Sequence, residues 1–114
     1  MSYKVLATDF FAKKLKDLSH KYWKIRDDYK ELLDELEKTP YSGDRIQGCK
    51  GLVLKTRMAS RDMQKGKSGG FRIIYLVLEK EREVHLLTLY PKSERENISA
   101  SEINQILEKT GFLQ

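Results

Sequence analysis

Two apolar runs joined by four charged residues constrain this chain more than any other feature of it. Residues 71–78 read FRIIYLVL, residues 83–90 read EVHLLTLY, and Glu79, Lys80, Glu81 and Arg82 lie between them. Runs of this length, rich in β-branched and aromatic residues and broken only by a short polar segment, predict two antiparallel strands joined as a hairpin. Their hydrophobicity puts the pair near the centre of a sheet.

The remaining pattern builds outward from that hairpin. Tyr3–Ala7 predicts a short strand, after which Thr8 or Asp9 can cap a helix. Phe11, Leu15, Leu18 and Tyr22 recur at helical spacing, and Ser19-His20 loosens the turn. Ile25, Tyr29, Leu32, Leu33 and Leu36 form one apolar stripe of a second helix, which Thr39-Pro40 stops. These stripes predict helices that cover the sheet. Residues 41–51 are polar and glycine-punctuated and read as a loop. Leu52–Met58 reads as a strand and 59–70 as a long loop. Near the end, Ser99 and Glu102 fit a capping box, Ile98 and Ile103 fit its flanking hydrophobic staple, and Gly111 ends the helix. The expected order is β-α-α-β-β-β-α, an α+β fold in a single domain spanning residues 1–114.

Charge is unevenly placed. The chain carries a net +5, but residues 44–75 alone hold eight Lys/Arg against two Asp/Glu, while the flanking segments contribute +1 and −2. A local basic excess is the footprint expected for a polyanionic partner. Cys49 is the one cysteine, so no internal disulfide can form, which fits a reducing cytoplasm. Cys49, His20 and His85 are too far apart in sequence for a metal-site spacing, and no metal or other cofactor is expected. No apolar run suggests a signal peptide or a membrane span.

The stretch GKSGGFRIIYLVLEKEREVHLLTLYPKSERENIS, residues 66–99, is more specific. Gly66-Lys67-Ser68-Gly69-Gly70, Arg72 and Tyr75 are followed by Tyr90, Lys92-Ser93-Glu94 and Glu96-Asn97-Ile98-Ser99. In these motifs the chain resembles the RelE/HigB superfamily of type II toxin–antitoxin toxins, its HigB branch in particular. The resemblance implies a RelE-like, microbial-ribonuclease-type fold with a twisted, mostly antiparallel sheet. It implies a cytoplasmic mRNA interferase, an endoribonuclease that cuts messenger RNA on the ribosome and so inhibits translation. It implies three partners: the ribosome, mRNA and a cognate antitoxin.

RNA cleavage without a metal uses the substrate's own 2′-hydroxyl as nucleophile, a base to take its proton, cations to stabilise the pentacoordinate phosphate, and an acid for the leaving oxygen. Lys55 and Arg57, two apart in a strand, would share one face. Arg72 opens the next strand and Lys92 follows the last. By resemblance Lys55, Arg57 and Arg72 match the basic catalytic positions, and Lys92 falls where relatives place another basic residue. Arg57 and Arg72 are then the stabilisers of the transition state, and Lys55 or Lys92 a proton acceptor if crowding depresses its pKa. Lys65, Lys67, Tyr90 and Arg95 are the candidate RNA-binding residues. The glycines of 66–70 would let a phosphate approach backbone N–H groups, or simply form a turn. The segment 93–99 lacks the tyrosine that some relatives carry there; Tyr90 is the nearest, either in the site or packed in the core. His85, flanked by Val84 and Leu86, reads as structural. The alternatives are a ParE-like gyrase inhibitor of the same fold and a non-catalytic RNA-binding module.

Overall fold

The computed structural model describes residues 2–63 and 69–113. In chain order these form β1 (Lys4–Ala7), α1 (Asp9–Ser19), α2 (Ile25–Lys38), β2 (Asp44–Arg45), β3 (Val53–Met58), β4 (Phe71–Leu78), β5 (Glu83–Pro91) and α3 (Ala100–Lys109). The sheet order is β1-β5-β4-β3-β2. β1 runs parallel to β5, and the other neighbours are antiparallel. The hairpin is central, as its apolar strands require. Its tight turn puts Arg82 at φ 54°, and its ladder runs from Leu78↔Glu83 to Phe71↔Pro91 with a shift at Ile74/Tyr75.

Both early helices pack on one face. Thr8 is the cap: its hydroxyl oxygen accepts the Phe11 N–H at 3.1 Å and its own proton goes to the Leu86 carbonyl at 2.7 Å, so the cap also pins α1 to β5. Phe11, Leu15, Ile25, Leu32 and Leu36 meet Leu54, Met58, Ile73, Tyr75, Val77, Leu86 and Leu89 in the larger core. Each such side chain contributes about 1.5–3 kcal/mol. α3 covers part of the opposite face, where Ile103, Ile106 and Leu107 pack on Val53, Ile74, Leu76 and Leu87.

Three local outcomes differ from the sequence reading. The segment 41–51 contains β2, so the order has one strand more than expected; two residues cannot display a period of two. Only half of the capping box forms. Ser99 Oγ accepts the Glu102 N–H at 3.1 Å, but the Glu102 carboxylate turns to Arg95 and accepts from Nη1 at 3.1 Å and Nη2 at 2.9 Å. Arg61, one of the central cations, is committed to α2. It donates through Nη1 at 2.6 Å to the buried Asp28 and also bonds Glu31. Burial pushes the Asp28 carboxyl up, and the Arg61 hydrogen bonds oppose that.

The Arg95–Glu102 pair supplies a pH test. The Arg95 hydrogen bonds hold the Glu102 carboxyl below its ordinary value. A depressed carboxylate stabilises the fold above its unfolded pKa, and that contribution is lost as pH falls through the folded value. Both partners are partly exposed, so the amount is about 0.5 kcal/mol. Glu102→Gln should lower the urea midpoint slightly at pH 7, and the gap to the wild type should close in acid below the carboxylate range. A gap that persists unchanged there would show that the loss is packing and not charge.

Candidate active site

The alternation along β3 carries one face of the sheet from dry to wet. Val53 lies under α3, Lys55 is half-buried and Arg57 is exposed. Cross-strand register extends this face sideways. Arg57 stands opposite Arg72, and Arg72 opposite Tyr90, so β3, β4 and β5 each place one residue in a single row. In the neighbouring row Lys55 faces Ile74, and on its other side it faces Asp44 of β2. Directly opposed residues share a face. Asp44, Lys55, Arg57 and Arg72 accordingly line one cleft of about 290 Å³, with Ser42 and Gly43 at its edge.

Arg72 is only 5% exposed. Burial, and then the Arg57 charge, lower its guanidinium below the ordinary value. It remains cationic, since arginine does not deprotonate in proteins. Two like charges directly opposite one another cost stability. An anion between them reverses the sign, and a guanidinium fork fits two phosphate oxygens. Lys55 Nζ donates to Asn97 Oδ1 at 3.4 Å, which links the cleft to the segment after β5.

The other expected residues fall outside this cleft wall. Lys92 is exposed just beyond β5, and its backbone N–H donates to the Gly70 carbonyl at 3.0 Å. Tyr90 reaches the row but is buried. Its ring has the Arg95 guanidinium over it, 5.4 Å from the centroid, and among the described residues its hydroxyl meets no hydrogen-bond partner. Arg95 is further tied down, since Nε donates to the Asn97 carbonyl at 3.1 Å. Lys65 and Lys67 lie outside the described residues. His85 is away from the cleft, paired with Glu83 at 3.0 Å and packed on Phe112. At Gly70 the close approach is made by the chain itself, because an added Cβ would lie 2.2 Å from the Met58 carbonyl oxygen.

Asp44 is the group that sequence reasoning missed. It sits in a stretch that reads as loop, and what brings it to Lys55 is local. Gly43 N–H donates to the Tyr75 hydroxyl at 3.1 Å, and a Cβ on Gly43 would come within 2.7 Å of the Lys55 carbonyl oxygen. Only glycine lets the chain run this close to β3. The available signal was Ser42-Gly43-Asp44 shortly after Pro40, a turn-prone stretch at the start of the segment that reads as loop.

Fold and site together define a small α+β protein whose mostly antiparallel sheet exposes a cleft lined by three cations and one carboxylate. Residues 3–113 match the family model described as the RelE toxin of the RelE/RelB toxin–antitoxin system, and the chain belongs to that family. Solved structures agree in fold. The isolated E. coli RelE toxin is similar with a TM-score of 0.58 at 20% identity, over 93% of this chain and 100% of that one. The toxin–antitoxin complex RelBE2 of Mycobacterium tuberculosis gives 0.55 at 17% identity, over 80% and 99%. The archaeal RelE–RelB complex of Pyrococcus horikoshii OT3 gives 0.52 at 22% identity, over 83% and 100%. The RelE-like α+β fold expected from the sequence is therefore the fold observed. None of the helices among the described residues is long and apolar enough to cross a membrane.

Proposed function

We propose that this chain is a ribosome-dependent mRNA endoribonuclease of the HigB-like kind, acting in the cytoplasm as the toxin of a toxin–antitoxin pair. The observation that carries the reading is the Arg57–Arg72 row sharing one cleft with Lys55 and Asp44 in a member of the RelE toxin family. A phosphodiester seated there has its non-bridging oxygens between the two guanidinium groups. The Asp44 carboxylate accepts the 2′-hydroxyl proton, O2′ bonds to phosphorus, the P–O5′ bond breaks, and the Lys55 ammonium protonates O5′. No metal takes part. The products are a 2′,3′-cyclic phosphate and a 5′-hydroxyl. Lys92, exposed beyond β5, meets a neighbouring phosphate of the same strand. Lys65 and Lys67 add nonspecific attraction.

Dependence on the ribosome follows from the modest equipment of the cleft. With short, simple acid–base groups, much of the rate must come from substrate held in the reactive geometry. The antitoxin is a partner of acidic or amphipathic character that covers the basic face. Two of the similar structures, RelBE2 and the archaeal RelE–RelB, are themselves toxin–antitoxin complexes.

The test is induced expression followed by mapping of 5′ ends on translated mRNA. New 5′-hydroxyl ends within reading frames, with growth arrest, are expected. Intact mRNA together with stabilised gyrase–DNA breaks would overturn the reading in favour of a gyrase inhibitor. Asp44→Asn, which keeps the shape and removes the proton acceptor, should slow cleavage on ribosomes on the order of 10²-fold. A wild-type rate in that variant would remove Asp44 from the chemistry.

A further inference from the structure

The turn between α1 and α2 holds Trp23 with 83% of its surface exposed, against 38% for Phe10 and 47% for Tyr41, the other exposed large apolar side chains among the described residues. A single exposed ring is ordinary. What distinguishes this one is how it is held, what surrounds it, and where it stands.

The indole is fixed at one edge. Nε1 donates to the His20 carbonyl at 3.1 Å, while most of the ring is left in solvent. Residues 20–26, HKYWKIR, carry Lys21, Lys24 and Arg26 and no carboxylate. The turn is also docked at the end of the sheet where Arg57, Arg72 and Tyr90 stand in register. Tyr22 packs edge-on against Phe71, the first residue of β4, at 5.2 Å. The Lys24 N–H donates to Asp62, just past β3, at 2.9 Å. Lys21 Nζ lies 3.7 Å from Glu94, just past β5.

We propose that Trp23 is a stacking platform for an unpaired base of single-stranded RNA that crosses the strand ends from the cleft, with Lys24 and Arg26 meeting its phosphates. The proposal rests on the ribonuclease reading for the strand's route into the cleft. An aromatic face flanked by cations suits a polyanion whose every base offers a π-face. A protein partner would call for an apolar patch around the ring, but the apolar neighbours Tyr22 and Ile25 are buried, which leaves Lys21, Lys24 and Arg26 among the exposed side chains nearby in sequence.

Trp23 is the only tryptophan of the chain, so its fluorescence reports this one position. The purified protein is titrated at low ionic strength with a short single-stranded oligoribonucleotide whose 2′-hydroxyls are methylated to prevent cleavage. Saturable quenching is expected. Trp23→Ala should bind about tenfold more weakly, measured by anisotropy of a labelled oligonucleotide, and Trp23→Phe should keep most of the affinity. Quenching by a wild-type protein that fails to cut unmodified RNA on ribosomes would sink the ribonuclease reading and leave the platform standing. Cleavage with unchanged Trp23 emission, and equal affinity in Trp23→Ala, would sink the platform alone. Emission that responds to a co-expressed protein partner and not to RNA would assign the ring to a protein interface and overturn the proposal.

Discussion

Arg72→Met should reduce mRNA cleavage on ribosomes on the order of 10²–10³-fold while moving the thermal midpoint by only a few degrees. The reasoning starts from cost. Arg72 is a buried cation set directly opposite a second cation, and both burial and Arg57 work against its charge. A methionine of similar length fills much of the same space and keeps the apolar packing, at the cost of guanidinium contacts such as that of Nη1 with the Phe71 carbonyl at 3.4 Å. The Arg72 guanidinium stands beside Arg57 and Lys55 in one cleft, where a bound phosphate gains from all three, and Arg72's share of that gain is lost in the variant. Arginine is required in form as well as charge: Arg72→Lys should keep the charge and recover little of the rate, because a point charge does not reproduce the fork. A variant that melts far lower, yet whose folded fraction cuts at the wild-type rate, would make Arg72 a structural residue and remove it from the active site.

Gly70→Ala should be the most damaging glycine-to-alanine change among the described residues. The added Cβ would stand 2.2 Å from the Met58 carbonyl oxygen, 3.1 Å from the Ser60 nitrogen and 3.2 Å from the Ala59 Cα. All three are backbone atoms, which no rotamer change can move aside. The Gly70 carbonyl also accepts the Lys92 N–H, so the exits of β3 and β5 and the entry of β4 meet at this one residue. Overpacking of this kind costs about 3 kcal/mol, which corresponds to a fall of roughly 10–20 °C in the thermal midpoint. Since Arg72 lies two residues on, cleavage should fall with it even at temperatures where the variant stays folded. A midpoint within two or three degrees of the wild type, read by circular dichroism, would show that the strand ends can part to admit a side chain.

The two predictions differ in how far the sequence alone could have led to them. Arg72 was visible because a strand that otherwise reads as unbroken apolar residues opens on a cation. The hairpin around it was equally plain, and β4 has the bounds that its composition suggests. So was the stripe of α2, whose buried face is Ile25, Leu32 and Leu36. These features repeat over a whole element, and repetition is what a one-dimensional pattern can show. Asp44, Gly43 and the steric demand at Gly70 are different. Each depends on where a distant backbone passes, and a residue's own neighbours in sequence say nothing of that. Charge failed in an instructive way for the same reason. The central third does hold a basic excess, but within it Arg61 is turned to Asp28 and Glu31 of α2, whereas Lys55, Arg57 and Arg72 converge. Net charge counts cations and does not say which of them share one cleft.

The parallel pairing of β1 with β5 sets a timetable for synthesis. Lys4–Ala7 is the first strand to be made, and it is laid against Glu83, Val84, His85 and Leu86, 79 residues further along the chain. β4, which carries Arg72, likewise gains its second hydrogen-bonded neighbour only when β5 is in place beside it. Long-range pairings of this kind form late, after the separating chain has been made and ordered. The nascent chain therefore carries every cation of the cleft well before it has a cleft. The cleft is completed in one step near the end of synthesis, so a truncated product that stops short of β5 carries its cations without ever assembling them.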